Sequence, residues 1–263
     1  MINYIENGKI KIFVNQFLVE SSKTAIILIH GLAEHSGRYE SFIADLNKSG
    51  HSVFAIDLRG HGQTISKKGD CENINKVIED IDKVLEYIKI NYNYEKVGIF
   101  GHSIGGLIAS LYASIYKGVD FLVLSSPAIY CPKKLKVIKF IPYKLLPFIY
   151  LRKKHSESKE MLEVSKNDNL ALHSFSIRMI GIFFNDGIKL LTNKLNIKCP
   201  VLLLCGRQDR LLNEQQNFER FMSKLTNKHN KLISYDNAKH RIVHNDGSDK
   251  RINDLIKWLN IVS

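Results

Sequence analysis

The sequence predicts an α/β fold, a mostly parallel central sheet with helices packed on both faces. Two observations carry that expectation. Short continuous apolar runs, at residues 25–29, 96–100, 121–124 and 200–206, alternate with stretches of helical period, the pattern of buried parallel strands joined by helices. Between one such run and one such stretch stands Gly101-His102-Ser103-Ile104-Gly105-Gly106, a serine at a strand-to-helix turn flanked by glycines. With 263 residues, 44% of them hydrophobic and 24% charged, the chain has ordinary globular composition and can bury a large core.

The elements follow in order. Residues 4–12 read as a strand, an Asn7-Gly8 turn and a second strand, the antiparallel hairpin at the start of the sheet. Residues 25–29 form the first central strand, and His30-Gly31-Leu32 the loop leaving it. Ile74, Val77, Ile78, Ile81, Val84, Leu85 and Ile88 recur at helical spacing and are core packing. Residues 96–100 lead into the serine turn, and residues 107–116 form the helix after it. The strand at 200–206 runs into Arg207-Gln208-Asp209, with a helix starting near Asn213, and the strand at 231–235 runs into Asp236-Asn237-Ala238-Lys239-His240. No internal repeat is present.

The serine turn carries the chemistry. A tight turn between strand and helix strains the serine backbone and lifts Ser103 Oγ above the sheet, and it leaves no room for a Cβ at Gly101 or Gly105. A hydroxyl is a weak nucleophile at its free pKa, so the turn predicts a base and a carboxylate further on, in the order serine, acid, histidine. Asp209 and His240 lie past the C-terminal ends of two later strands in that order, where open α/β sheets gather functional groups. Asp209 could instead cap the following helix, a role for which Asn213 competes.

Among ten histidines, three rival His240 as base. His102 adjoins the serine, and neighbours on a tight elbow point apart, so it packs beneath the turn. His30 precedes the serine and suits the loop that shapes an oxyanion hole. His244 lies four residues after His240 and could share a helical face with it, but no glutamate stands between them as in the zinc-binding pattern. The oxyanion hole is expected from the backbone N–H groups of Leu32 and Ile104, with Gly31 letting the chain turn toward a substrate carbonyl.

These blocks resemble the monoacylglycerol lipase and lysophospholipase group of the capped α/β-hydrolase superfamily, which is also linked to S33-type serine aminopeptidases. The match spans His30 to Tyr39, Asp57-Leu58-Arg59-Gly60-His61-Gly62, the Ser103 elbow, Gly206 to Leu211 and Ala238-Lys239-His240. Two departures stand out. Gln63-Thr64 replaces the serine that usually closes the second glycine loop, and Arg241 follows the base where bacterial members often carry an acid. The resemblance implies a single α/β-hydrolase domain over residues 1–263, with a helical cap inserted at about 128–180, before the strand that carries the acid. It implies hydrolysis of a lipid carboxylic ester, foremost a monoacylglycerol, with no cofactor and no metal. The alternatives are a lysophospholipase, a general small-ester carboxylesterase, an aminopeptidase, or a lipid-binding protein without catalysis. Leu211 is expected to line the substrate channel.

The charge is +12 and unevenly placed. No acidic residue occurs between Asp120 and Glu157, while Lys133, Lys134, Lys136, Lys139, Lys144, Arg152, Lys153 and Lys154 interleave there with apolar side chains. An apolar face bordered by lysines suits reversible contact with an anionic membrane, and equally a lid whose lysines are merely solvated. Nucleic-acid motifs are absent. A peptidase of this group needs a carboxylate for the substrate amine, which the acid-free stretch does not offer. Residues 140–151 are too short and too interrupted by Pro142, Lys144 and Pro147 to span a bilayer. Cys71, Cys131, Cys199 and Cys205 have neither metal nor disulfide spacing, and no signal segment opens the chain, so a cytoplasmic protein, peripheral at most to a membrane, is expected.

Overall fold

Eight strands form one sheet in the computed structural model, in the order β1-β2-β4-β3-β5-β6-β9-β10. They are β1 (Ile2–Asn7), β2 (Ile10–Phe17), β3 (Thr24–Ile29), β4 (His51–Ile56), β5 (Lys96–His102), β6 (Leu122–Ser125), β9 (Val201–Gly206) and β10 (Lys231–Tyr235). The hairpin β1–β2 is antiparallel and β2 joins β4 antiparallel; every later pairing is parallel. The structure describes residues 1–263 except 117, 148, 153–167, 213–214 and 245–247. Asn213, Phe148, Lys153, Lys154, Glu157 and the side chains of Lys134 and Arg152 therefore lie outside the described residues.

The sheet is buried on both faces, which is why its strands read as continuous apolar runs rather than alternating ones. Along β3, Ala25, Ile27 and Ile29 pack on one side with α2 (Ile74–Asn91) and α3 (Ile104–Ile115). Ile26 and Leu28 pack on the other with α1 (Glu40–Lys48) and with the helix α7 (Ser248–Val262), which follows α6 (Gln215–Met222) along the chain. The helical spacing noted from Ile74 to Ile88 is the buried stripe of α2, and Asn73 caps that helix by accepting from the Asn75 N–H at 2.8 Å. Helix α1, strand β4 and helix α7 are additional to the elements that the periodicity picks out. Strand β4 opens on His51-Ser52, whose polar side chains break the apolar run although both are buried.

Between β6 and β9 the chain leaves the sheet. This excursion holds short 3₁₀ turns at Lys133–Phe140 and Tyr143–Leu145, a small antiparallel pair β7 (Tyr150–Arg152) and β8 (Ser174–Ser176), then α4 (Ile177–Gly181), a π-helical turn Ile182–Gly187 and α5 (Ile188–Lys194). It is tied to the body by polar contacts: Asp70, in the loop before α2, accepts from Ser176 Oγ at 2.6 Å and pairs with Arg178. Among the described residues no helix is long and apolar enough to cross a membrane, and the four cysteines are free thiols.

Candidate active site

Strand β5 ends at His102 and α3 begins at Ile104, so Ser103 is the whole turn between them. Its φ of 54° and ψ of −116° place a non-glycine residue in a strained conformation that the packing on both sides must hold. A Cβ on Gly105 would stand 2.3 Å from Ile29 O, so only glycine lets the elbow nest against the end of β3. His102 is buried, with Nδ1 3.1 Å from Ser125 O, beneath the turn as its position implies. Burial pushes its pKa down to about 3, so the ring is neutral. Ser103 itself is half-buried.

The loop after β3 approaches the elbow from the other side: a Cβ on Gly31 would lie 3.4 Å from Ser103 Cβ. Its shape is set by one neutral histidine. His30 Nδ1–H donates to Gly31 O at 2.7 Å and His30 Nε2 accepts the Leu58 N–H at 3.0 Å, which together allow a single tautomer. Burial lowers the pKa of this ring as well. With the Gly31 carbonyl drawn toward His30, the trans peptide turns the Leu32 N–H the opposite way. The glycine loop after β4 is fastened to the same assembly: Asp57 accepts from the N–H groups of Ser36 and Gln63, both at 2.7 Å. Thr64 keeps the hydroxyl function of the usual serine, since its Oγ1 donates to Asp57 O and accepts the Phe13 N–H at 2.9 Å.

Asp209 and His240 meet because β9 and β10 are parallel neighbours whose exit loops continue the pairing, through Arg207 N–H to Tyr235 O at 2.9 Å and Gln208 N–H to Ala238 O at 3.0 Å. Gly206 is at the crossing, where a Cβ would stand 2.2 Å from Ala238 O. His240 Nδ1–H donates to Asp209 Oδ2 at 2.7 Å, with Asp209 only 1% and His240 7% exposed. The other carboxylate oxygen, Oδ1, accepts the Leu211 and Leu212 N–H groups at 2.7 and 2.9 Å. The two readings of Asp209, partner of a histidine and organiser of the following turn, thus occupy separate oxygens. Burial alone would raise the Asp209 carboxyl, but the His240 contact and the two N–H groups outweigh it and lower its pKa. The imidazole of His240 packs against that of His102, centroids 4.8 Å apart, which brings it beside the elbow.

Other residues fall elsewhere. Residues 240–244 are turn rather than helix, so His244 shares no helical face with His240; it packs edge-on against Tyr39 at 4.4 Å. Asp236 is 79% exposed at its side chain and pairs with Arg207 on the surface. Leu211 is 44% exposed. A contact that sequence reasoning missed lies on the excursion: Asp168 accepts from His35 Nε2 at 2.9 Å and Arg38 Nε at 2.8 Å. Burial raises the Asp168 carboxyl, yet these two partners bring it down to about 2. A depressed acid stabilises the fold above its unfolded pKa and loses that contribution as pH falls toward the folded value. Acid unfolding between about pH 4 and pH 2 is therefore expected to flatten in Asp168→Asn, as read by tryptophan fluorescence against pH. An unchanged acid limb would count against the contact.

The sequence profile of the serine aminopeptidase S33 family matches residues 20–247. The chain is 27% identical over 202 residues to the monoacylglycerol lipase of Mycolicibacterium smegmatis, covering 71% of this chain and 70% of that one. To the human monoglyceride lipase it is 25% identical over 235 residues, covering 85% and 77%. Among solved structures, Paleococcus ferrophilus monoacylglycerol lipase superposes with a TM-score of 0.83 at 26% identity, over 96% of this chain and 99% of that one. Sharing this profile over most of its length, and with the parallel sheet and strand-to-helix serine turn described above, the chain belongs to the serine aminopeptidase S33 family of α/β-hydrolases.

Proposed function

We propose that the protein cleaves the ester of a monoacylglycerol into glycerol and a free fatty acid, through an acyl-enzyme on Ser103. It is a carboxylic ester hydrolase by kinship, and relatives named as monoacylglycerol and monoglyceride lipases favour an acylglycerol. The observation that carries the reading is the buried His240–Asp209 hydrogen bond at the sheet edge where the strained Ser103 turn opens.

In this mechanism the Ser103 hydroxyl attacks the ester carbonyl while its proton passes to His240 Nε2, the nitrogen that the Asp209 contact leaves as acceptor. The Leu32 and Ile104 N–H groups receive the developing oxyanion. Collapse expels glycerol with the proton from His240; water then attacks the acyl-enzyme by the same relay and frees the fatty acid. No step calls for a cofactor or metal. Residues of about 128–180 act as the cap of a single domain, and Leu211 borders the channel for the acyl chain. An aminopeptidase is less well supported, since among the described residues of the excursion the carboxylates are engaged, Asp168 with His35 and Arg38, and Asp186 with Lys144 and Tyr143. Kinship to a Haemophilus influenzae protein named as a probable lysophospholipase, 30% identical over 106 residues, keeps a lysophospholipid as the second substrate class.

The test is a fluorophosphonate label followed by a substrate panel. Labelling is expected at Ser103, and kcat/KM for a monoacylglycerol is expected to exceed that for a lysophospholipid or a short p-nitrophenyl ester by about tenfold or more. A lysophospholipid at the head of the panel would replace the acylglycerol assignment, and an unlabelled protein would remove the mechanism.

The cap also supports contact with a lipid surface by a protein that otherwise works in the cytoplasm. Phe140 and Leu145 are 79% and 75% exposed, and Lys133, Lys136 and Lys139 are exposed beside them. Each lysine near an anionic surface contributes about 1 kcal/mol, so Lys133→Gln, Lys136→Gln and Lys139→Gln together are expected to weaken binding to anionic vesicles by about 100-fold. Hydrolysis of a soluble short-chain ester is expected to stay intact. Undiminished vesicle binding would leave these lysines as a solvated face.

A further inference from the structure

We infer that the ion pair between Glu34 and Arg241 holds the oxyanion loop and the histidine loop in register, making both residues positioning residues for the hydrolysis; the inference rests on the triad reading above. Arg241 Nη2 lies 2.7 Å from Glu34 Oε1, with side chains 13% and 4% exposed. The other oxygen, Oε2, accepts the Gly31 N–H at 3.1 Å and the Tyr39 hydroxyl at 2.8 Å. One carboxylate therefore ties three things together: the residue after His240, the residue before Leu32, and a tyrosine 0% exposed in the core.

Position along the chain makes this more than a fold contact. Arg241 is one peptide from His240, and Gly31 is one peptide from the Leu32 N–H, so the pair spans the proton acceptor and one oxyanion donor by the shortest covalent paths available. Relays of this kind tolerate little displacement, since donors and base must meet a transition state whose reacting atoms lie within about 3–3.5 Å. The Glu34 carboxyl would be raised by burial, but the Arg241 guanidinium beside it, helped by the Tyr39 hydroxyl, holds it well below the ordinary carboxylate range. Removing either partner strands a buried charge, which is costly, whereas removing both charges together is not. That asymmetry is what the experiment uses.

The test uses the full chain with Arg241→Gln, Glu34→Gln, the double variant, Arg241→Lys, and Ser103→Ala as reference. Fluorophosphonate titration counts competent sites; kcat per titrated site, KM for a soluble p-nitrophenyl ester and Ki for a trifluoromethyl ketone are then measured. Arg241→Gln is expected to titrate fully but to lose about 30-fold in kcat per site, with KM nearly unchanged and Ki weakened in step with kcat/KM. The double variant is expected to be no worse than either single one, and Arg241→Lys to recover most of the loss. Should Arg241→Gln give no titratable sites, Arg241→Lys carries the test with an expected loss of about fivefold per site. A per-site kcat within twofold of wild type, with loss confined to the titrated fraction, overturns the inference, as does a double variant whose losses multiply. Ser103→Ala that retains turnover overturns the triad reading and this inference with it; an inactive Ser103→Ala beside unimpaired Arg241 and Glu34 variants overturns this inference alone.

Discussion

Ester turnover is expected to collapse in Ser103→Ala and in His240→Ala, each by a factor of about 10⁴ to 10⁶ in kcat, while the double variant is little worse than either. In the proposed mechanism the two groups act on one proton. Without Oγ there is no acyl-enzyme, and without the imidazole the Ser103 proton has no acceptor, so the second deletion removes a function already lost. What survives is the contribution of the oxyanion donors and of substrate binding, which neither substitution touches. The measurement is kcat by single-turnover and steady-state assay on purified variants whose near-ultraviolet dichroism matches the parent. A Ser103→Ala protein with a tenth of parental kcat would move the nucleophile elsewhere.

Asp209→Asn is expected to cost about 10⁴ in kcat, close to the cost of removing the base it serves. The reason lies in the division of labour between its oxygens. Oδ2 takes the His240 Nδ1–H while Oδ1 takes the N–H groups of Leu211 and Leu212. An asparagine has one oxygen for these two tasks. If that oxygen stays with the leucine amides, the NH₂ group faces His240 and favours the wrong tautomer, with Nε2 protonated and unable to accept from serine. If it turns to His240, two amide donors in a buried turn lose their acceptor. Asp236 cannot substitute, because its exposed side chain pairs with Arg207 at the surface. Near-parental kcat in Asp209→Asn would refute the assignment of the acid, and imidazole proton spectra would report which tautomer the variant adopts.

Much of this architecture was legible in one dimension because it is encoded locally. Continuous apolar runs mark strands buried on both faces, the 3.6-residue spacing of Ile74 to Ile88 marks the stripe of α2, and Gly101 and Gly105 mark a turn that side chains would block. Strand β4 was harder to read, since His51 and Ser52 are polar and yet buried, and its place beside β3 depends on pairing rather than period. The possible helical face shared by His240 and His244 is a fault of the same kind: a spacing of four suits a helix, but the chain there follows the close packing of the β9 and β10 exit loops.

The sequence by itself determined the hairpin, the central strands β3, β5, β6, β9 and β10 and the helices α2 and α3 between them, the elbow that holds Ser103, and the position of Asp209 and His240 past two later strand ends, because each depends on residues within a few places of one another. Only the tertiary structure decided that β9 and β10 lie side by side and so bring those two residues within 2.7 Å, and that His30 turns the Leu32 peptide. It alone also decided that Glu34 reaches Arg241 and that Asp168 reaches His35 and Arg38. These are contacts between distant segments, set by how whole layers pack and by the need of each buried charge for an opposite partner, and no local pattern in the chain announces which partner that will be.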